Sequence, residues 1–245
     1  MTRGRPRSFD RDAALEQALR VFWQYGYEPA SIAVLTDAMG IRPASLYAAF
    51  GDKRRLFSEA VARYQATYGA FPGAALAEEP TARGAIERML REIAANYTDP
   101  GHPPGCLVIS GAVNHGPDAA EVEAELRQIR LQSRAAVAER LREGVANREL
   151  PQDADTDALA EFIAAVVRGM SRSAQDGATA AELLAVADLA MRAWPRPLRA
   201  TSEPRGVGDV DQGNRKLCGG SGLAAGRRCG RRACGAARVL LLMSS

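Results

Sequence analysis

Residues 31–57, SIAVLTDAMGIRPASLYAAFGDKRRLF, constrain the fold more than any other stretch of the chain. Ser31 is a good N-cap for a helix whose apolar face is Ile32, Leu35 and Met39. Gly40 falls where that helix must end, in a left-handed conformation that only glycine adopts cheaply. Ile41 packs after the turn, and Pro43 suits the first turn of a new helix, where its missing N–H costs nothing. Leu46, Ala49 and Phe50 then face inward, leaving Ala44, Ser45, Tyr47 and Ala48 outside. Two short helices joined by a tight glycine turn are the layout of a helix-turn-helix. Small outward residues would let the second helix approach base edges, and the hydroxyls of Ser45 and Tyr47 could bond phosphates. An ordinary helical hairpin in a core has the same spacing.

The flanking residues extend the pattern. Residues 10–25 predict an amphipathic helix with Ala14, Leu15, Ala18, Leu19, Phe22 and Trp23 on its apolar stripe and Gly26 at its end. Trp23 and Phe22 are expected in the core rather than stacked on bases. Asp52 is a good N-cap for a further helix through Leu56, Phe57, Ala60, Val61 and Tyr64. Lys53 lies in its first turn, where the helix dipole, free N–H groups and an ammonium could act on one phosphate. The run Lys53-Arg54-Arg55 can equally be a solvated face. Arg3, Arg5 and Arg7 form a basic arm whose Gly-Arg-Pro centre resembles the AT-hook. Such an arm could enter a narrow minor groove or simply attract phosphate.

The combination carries a family resemblance. Residues 9–64 resemble the N-terminal domain of the TetR/AcrR family of bacterial transcriptional regulators. The matching features are Tyr25-Gly26-Tyr27 after the first helix, Ser31-Ile32, Ala38-Met39-Gly40-Ile41, Ser45-Leu46-Tyr47, Phe50, and Lys53 followed by Leu56. The resemblance implies that Ser31, Ser45, Tyr47 and Lys53 touch the DNA backbone. It puts Arg42 and Ala44 at recognition-helix positions that vary with operator sequence. The chain departs from the pattern at Ala33 and Ala48, where members often carry a larger contact residue.

Charge is distributed unevenly. The net charge is +3 over residues 1–70, −6 over 71–198 and +6 over 199–245. A basic end beside an acidic body suits a protein that docks DNA at one face. The charged N-terminus, and the lack of an apolar run near the ~18–20 residues that span a bilayer, predict a cytoplasmic protein without a membrane partner. Cys106 is the sole cysteine of the expected folded body. Cys218, Cys229 and Cys234 lie in the tail, so no disulfide framework follows.

The expected architecture is all-α. A three-helix DNA-binding domain with its basic arm occupies residues 1–63, a larger helical domain 64–197, and a Gly/Arg-rich tail 198–245. Pro72-Gly73 and Glu78-Glu79-Pro80 mark a break. Helices are expected over residues 85–97, 118–148, 158–173 and 179–194, with a short apolar helix or strand at 106–113 and loops at 99–105 and 151–157. The tail is expected to be disordered, either adding non-specific attraction for nucleic acid or forming a frameshift-like extension.

By resemblance, the second domain senses a small-molecule effector and forms a homodimer. Gly105-Cys106-Leu107, a long helix and then Glu149-Leu150 are similar to one common subgroup of the family. Dimerisation also has a physical reason, since two readers about 34–36 Å apart fit successive major grooves of a palindromic operator. The small-residue helices 158–173 and 179–194 are the candidate interface. By chemical character, Met89, Ile93, Tyr97, Cys106, Ile109, Phe162, Val166 and Met170 are candidate pocket residues, with Asn114 and His115 as hydrogen-bonding groups. Cys106 could be a reactive thiol at a helix start or an inert buried residue.

No Ser/His/Asp set, phosphate-binding glycine loop or metal-spaced cluster is visible, and no cofactor is expected. The expectation is a ligand-responsive DNA-binding regulator, most often a repressor. An architectural DNA binder without a ligand, or a helical enzyme, is the alternative.

Overall fold

The computed structural model describes residues 9–113 and 116–195. Among them the secondary structure is helical throughout, without a strand. None of these helices is long and apolar enough to cross a membrane. The expected basic arm, Asn114, His115 and the tail from residue 198 lie outside the described residues.

Helix α1 spans Arg11–Tyr25. The Asp10 carboxylate caps it, accepting from the N–H groups of Asp12 and Ala13. Helix α2 is Ile32–Met39, and the Ser31 hydroxyl accepts from the Val34 N–H at 3.2 Å. Gly40 then turns the chain at φ 63°. A side chain there would meet open space, so conformation alone asks for glycine. Helix α3 (Pro43–Phe50) starts on its proline, and α4 (Lys53–Ala66) starts on the Asp52 cap. Helix α1 packs against both α2 and α4. Phe22 and Tyr27 each meet Phe57 edge-on, at 5.0 and 5.2 Å between ring centres. Trp23 is buried in the same layer, as its place on the apolar stripe predicts.

The residues around Pro72 correct the expected break. Phe71–Glu78 form a helix, α5, with Pro72 in its first turn. A helix does not use the N–H groups of its first turn, so a proline there can open a helix instead of ending one. The break at Glu79-Pro80 does hold. Thr81 caps α6 (Ala82–Tyr97), whose buried stripe includes Ile86, Met89, Leu90 and Ile93. The 106–113 segment resolves as a short helix, α7 (Leu107–Ser110), followed by a turn. After a 3-10 turn at Pro117–Ala119 come α8 (Ala120–Ala146), α9 (Thr156–Gln175) and α10 (Ala180–Arg192). Thr179 and Glu182 close a reciprocal capping box at the start of α10. Helix α6 packs on α5, α8, α9 and α10 and is the axis of this half.

The halves meet along α1, α4 and α7. The Tyr27 N–H donates to the Gly111 carbonyl at 2.8 Å. Helix α4 runs unbroken through residue 63, where the sequence suggested a domain boundary, so its last turn belongs to the second half.

Candidate nucleic-acid interface and interior cavity

Helix α3 is held from behind by Leu46 and Phe50, both buried. The Arg11 guanidinium lies 4.4 Å from the centre of the Phe50 ring and pairs with Glu59 at 2.6 Å. Anchored in this way, α3 turns Arg42, Ala44, Tyr47 and Ala48 to solvent, with Ser45 half-buried. Tyr47 is 49% exposed. An aromatic ring left outside, with its phenol at the surface, suits contact with a sugar-phosphate backbone. Ser31 is exposed at the start of α2, and its capping bond uses only the oxygen, leaving the hydroxyl hydrogen to donate. Beside it, Val34 adds an exposed apolar contact that the sequence reading missed.

Lys53 is more constrained than its position in a basic run suggested. Its ammonium sits 4.4 Å from the centre of the Tyr27 ring and donates to the Glu28 carbonyl at 3.2 Å. Partial burial lowers its pKa, against the opposing pull of Glu28. Arg54 pairs with Glu121, and Arg55 lies 3.8 Å from Asp52. The triplet is therefore tied to the protein surface at three points, with Lys53 fixed in the first turn of α4. Tyr27 positions that ammonium, a role that its place in the turn after α1 does not disclose.

A cavity of about 270 Å³ lies in the second half, walled by α4 to α9. Met89, Ile93, Tyr97, Cys106 and Ile109 line it. Phe162, Val166 and Met170 do not, which corrects the sequence reading. Helix α9 presents Ala164, Val167 and Arg168 to the cavity instead. At 3.6 residues per turn, Phe162 and Val166 fall on its opposite side. Phe162 is 41% exposed there, while Met170 is packed into the core. The helix has apolar residues on more than one face, so composition alone could not choose between them.

Tyr64, Tyr97 and Cys106 lie at the buried end of the cavity. Burial first, and then the neighbouring Cys106, pushes both phenols well above their usual range, so they stay neutral hydrogen-bonding groups at physiological pH. The Cys106 N–H donates to the buried Ser171 hydroxyl at 3.0 Å. Gly105, at φ 78°, lets the chain pass that close, because a Cβ would lie 2.7 Å from the Ser171 carbonyl oxygen. His102 is a packing residue in the preceding loop, stacked on Trp23 at 4.5 Å. Among the described residues no group of three or more His, Cys, Asp or Glu side chains could hold a metal ion. A second hollow of about 850 Å³ lies between residues 23–29, 103–104 and the end of α9. Its walls carry paired charges, Glu123 with Arg130 and Arg172 with Asp176. It suits an apolar guest less well than the smaller cavity.

A helix-turn-helix joined through one continuous helix to a cavity-bearing helical body defines a class of DNA-binding regulators. Residues 14–60 match the family described as "Bacterial regulatory proteins, tetR family", and residues 81–188 match "Tetracyclin repressor-like, C-terminal domain". The repressor ComR of Escherichia coli K12 is 35% identical over 195 residues, covering 79% of this chain and 93% of ComR. The repressor BdcR of the same organism is 33% identical over 187 residues, covering 76% of this chain and 90% of BdcR. Among solved structures, a cysteine mutant of the TetR family regulator CifR, complexed with 26-base-pair operator DNA, is 46% identical. It superposes with a TM-score of 0.76 over 78% of this chain and all of that one. The chain belongs to the TetR family of bacterial transcriptional regulators. It is a DNA-binding regulator and not an enzyme.

Proposed function

We propose that the chain is a homodimeric repressor that a small apolar or amphipathic molecule releases from a palindromic operator. ComR and BdcR, both repressors, support the sign of regulation. The observation that carries the reading is the course of α4. It begins with Lys53 beside the α2–α3 unit and ends with Tyr64 and Gln65 in the cavity wall. Fourteen residues place these ends roughly 20 Å apart on one rigid element. A guest pressing on Tyr64 would tilt α4 and move the reading unit. Trp23 supplies a second linkage, touching Tyr64 edge-on at 4.8 Å and stacking on His102.

In this reading Ser31, Ser45, Tyr47 and Lys53 hold phosphates, while Arg42 and Ala44 face base edges. The arm of Arg3, Arg5 and Arg7 reaches the adjacent minor groove. Helices α9 and α10 form the dimer interface. Phe162 on α9 and Val186 and Leu189 on α10 are exposed apolar residues, Leu189 at 60%. Ala185 lies on the same exposed side of α10. Ala185→Arg is expected to convert dimer to monomer in sedimentation and to abolish binding to the full operator, because it would bury an unpaired charge. A dimer of unchanged strength would remove these helices from the interface.

Release is tested with ligands found by thermal shift, since a molecule that binds the native state raises its melting temperature. Such a ligand is expected to weaken operator affinity by a coupling of about 1–3 kcal/mol, and operator DNA must weaken the ligand equally. A ligand that binds tightly and leaves operator affinity unchanged would turn the reading toward an architectural DNA binder.

A further inference from the structure

The half of the chain that holds the cavity is acidic, with a net charge of −6 over residues 71–198. The cavity wall runs against that excess. Among the described residues its charged side chains are those of Arg130, Arg134 and Arg168, with no Asp, Glu, Lys or His. Arg130 has its own counter-ion, pairing with Glu123 at 2.7 Å, and also donates to the Val108 carbonyl at 2.9 Å. Arg134 and Arg168 share a single counter-ion. Arg134 Nη1 reaches one oxygen of Glu161 at 2.8 Å, and Arg168 Nη2 reaches the other at 2.7 Å. Glu161 itself is not part of the wall. Two guanidiniums set around one carboxylate leave a net positive charge at the cavity rim. Each has five N–H donors and commits one of them to Glu161. Both lie close enough to bridge one carboxylate, so the spacing suits another of the same size. Burial places Met89, Ile93 and Tyr97 at the deep end, and the half-exposed arginines at the mouth.

We infer that the effector is an amphipathic monocarboxylate, with its apolar body among Met89, Ile93 and Val137 and its carboxylate on Arg134 and Arg168. This rests on the effector-release reading above and specifies the chemistry of that same cavity. The volume, about nine times the liquid share of a water molecule, suits a body on the order of ten non-hydrogen atoms. A neutral guest of the same shape would fill the apolar space but lose the charge-assisted part of its contact with the arginines. A cationic one would face the rim charge unfavourably.

The test uses the full chain and two matched pairs, octanoate with octanamide and 3-phenylpropanoate with 3-phenylpropanamide. Binding is measured by calorimetry, and operator affinity is measured on the same samples. Each acid is expected to bind about tenfold more tightly than its amide, the fold-change of one charge-assisted contact at a half-exposed site. Arg134→Gln and Arg168→Gln should each abolish that preference by weakening acid binding far more than amide binding. Glu161→Gln should strengthen it, because both guanidiniums lose their internal partner. Three results would overturn the inference: amides binding as tightly as acids, an acid preference that survives both arginine changes, or no binding of either acid at millimolar concentration. Failure here, with operator binding intact and another ligand still releasing DNA, would leave the regulator reading standing. Acid binding without any change in operator affinity would support the site and refute release.

Discussion

The two halves of this molecule are built from the same kind of helix and differ in what their sequence settles. In α1–α4 each turn is fixed within a few residues. Asp10, Ser31 and Asp52 cap their own helices, Gly40 turns left-handed, and Pro43 opens α3. Phe22, Leu46 and Phe57 fill the space behind, and the side chains left outside make up the proposed DNA-contacting surface. In α5–α10 side-chain caps start only α6, α9 and α10, at Thr81, Asp155 and Thr179, and the proposed effector site is an interior cavity. Its wall comes from six successive helices, α4 to α9, spread from Tyr64 to Arg168, so its shape depends on how those helices rotate against one another. A surface made by one helix face can be read from periodicity, whereas a cavity made by six cannot.

The largest effect expected from this contrast is in core packing. Phe57 is fully buried and meets Phe22 and Tyr27 edge-on, so Phe57→Ala should cost about 3–5 kcal/mol in urea denaturation. Leu76, partly buried on the cavity wall, already borders empty space. Leu76→Ala should cost about 1 kcal/mol or less. Equal costs would mean that the second half is packed as tightly as the first, and the proposed effector space would be lost.

The same contrast explains what the sequence disclosed. The helix-turn-helix was legible because Ser31, Gly40 and Pro43 act on their own backbone. The misplaced break at Pro72 was also a local matter, since a proline that ends one helix and a proline that opens another look alike without the cap. The three misassigned pocket residues have a different origin. Phe162, Val166 and Met170 are apolar at helical spacing, but only tertiary packing decides that α9 turns Ala164 and Val167 inward. The arginines at the rim do not stand out in sequence among the many charges of α8 and α9. A signal was present in the i, i+4 spacing of Arg130 and Arg134, which puts both on one helix face. It gains meaning only when Arg168 arrives from another helix to share Glu161.

An effect of intermediate size concerns the reading face. Lys53→Ala and Tyr47→Phe are each expected to weaken operator and non-operator binding together, by about 1 kcal/mol, through loss of one phosphate contact. Lys53→Ala should also reduce the slope of log affinity against log salt by about one. Its ammonium rests on Tyr27 and Glu28, which holds it at the start of α4. Tyr27→Leu should therefore reproduce part of the Lys53→Ala loss without removing a charge. A change in sequence preference with an unaltered salt slope would assign Lys53 to base reading instead.

The smallest effect lies at the seam, where the comparison between halves can be sharpened. Glu16 on α1 accepts from the Tyr68 hydroxyl at 2.7 Å and from Arg63 at 2.9 Å. Arg20 contacts Glu16 and Tyr68 and also reaches the Gly101 carbonyl at 2.9 Å, in the loop leading to the cavity. Burial alone would raise the pKa of Glu16, but the hydrogen bonds from Tyr68 and Arg63 and the nearby positive charges outweigh it and hold the group below its usual value. A carboxyl with a lowered folded-state pKa stabilises the protein above its unfolded pKa, about 4.3, and that stability is lost as pH falls through the folded value. Glu16→Gln should therefore cost up to about 1 kcal/mol at pH 7, and the gap between variant and parent should shrink as the solution is acidified below pH ~4. Urea denaturation across that range measures it. A gap that stays constant with pH would mean that Glu16 holds the seam by packing and neutral hydrogen bonds. The charge of the seam would then contribute nothing to holding the reading unit against the cavity half.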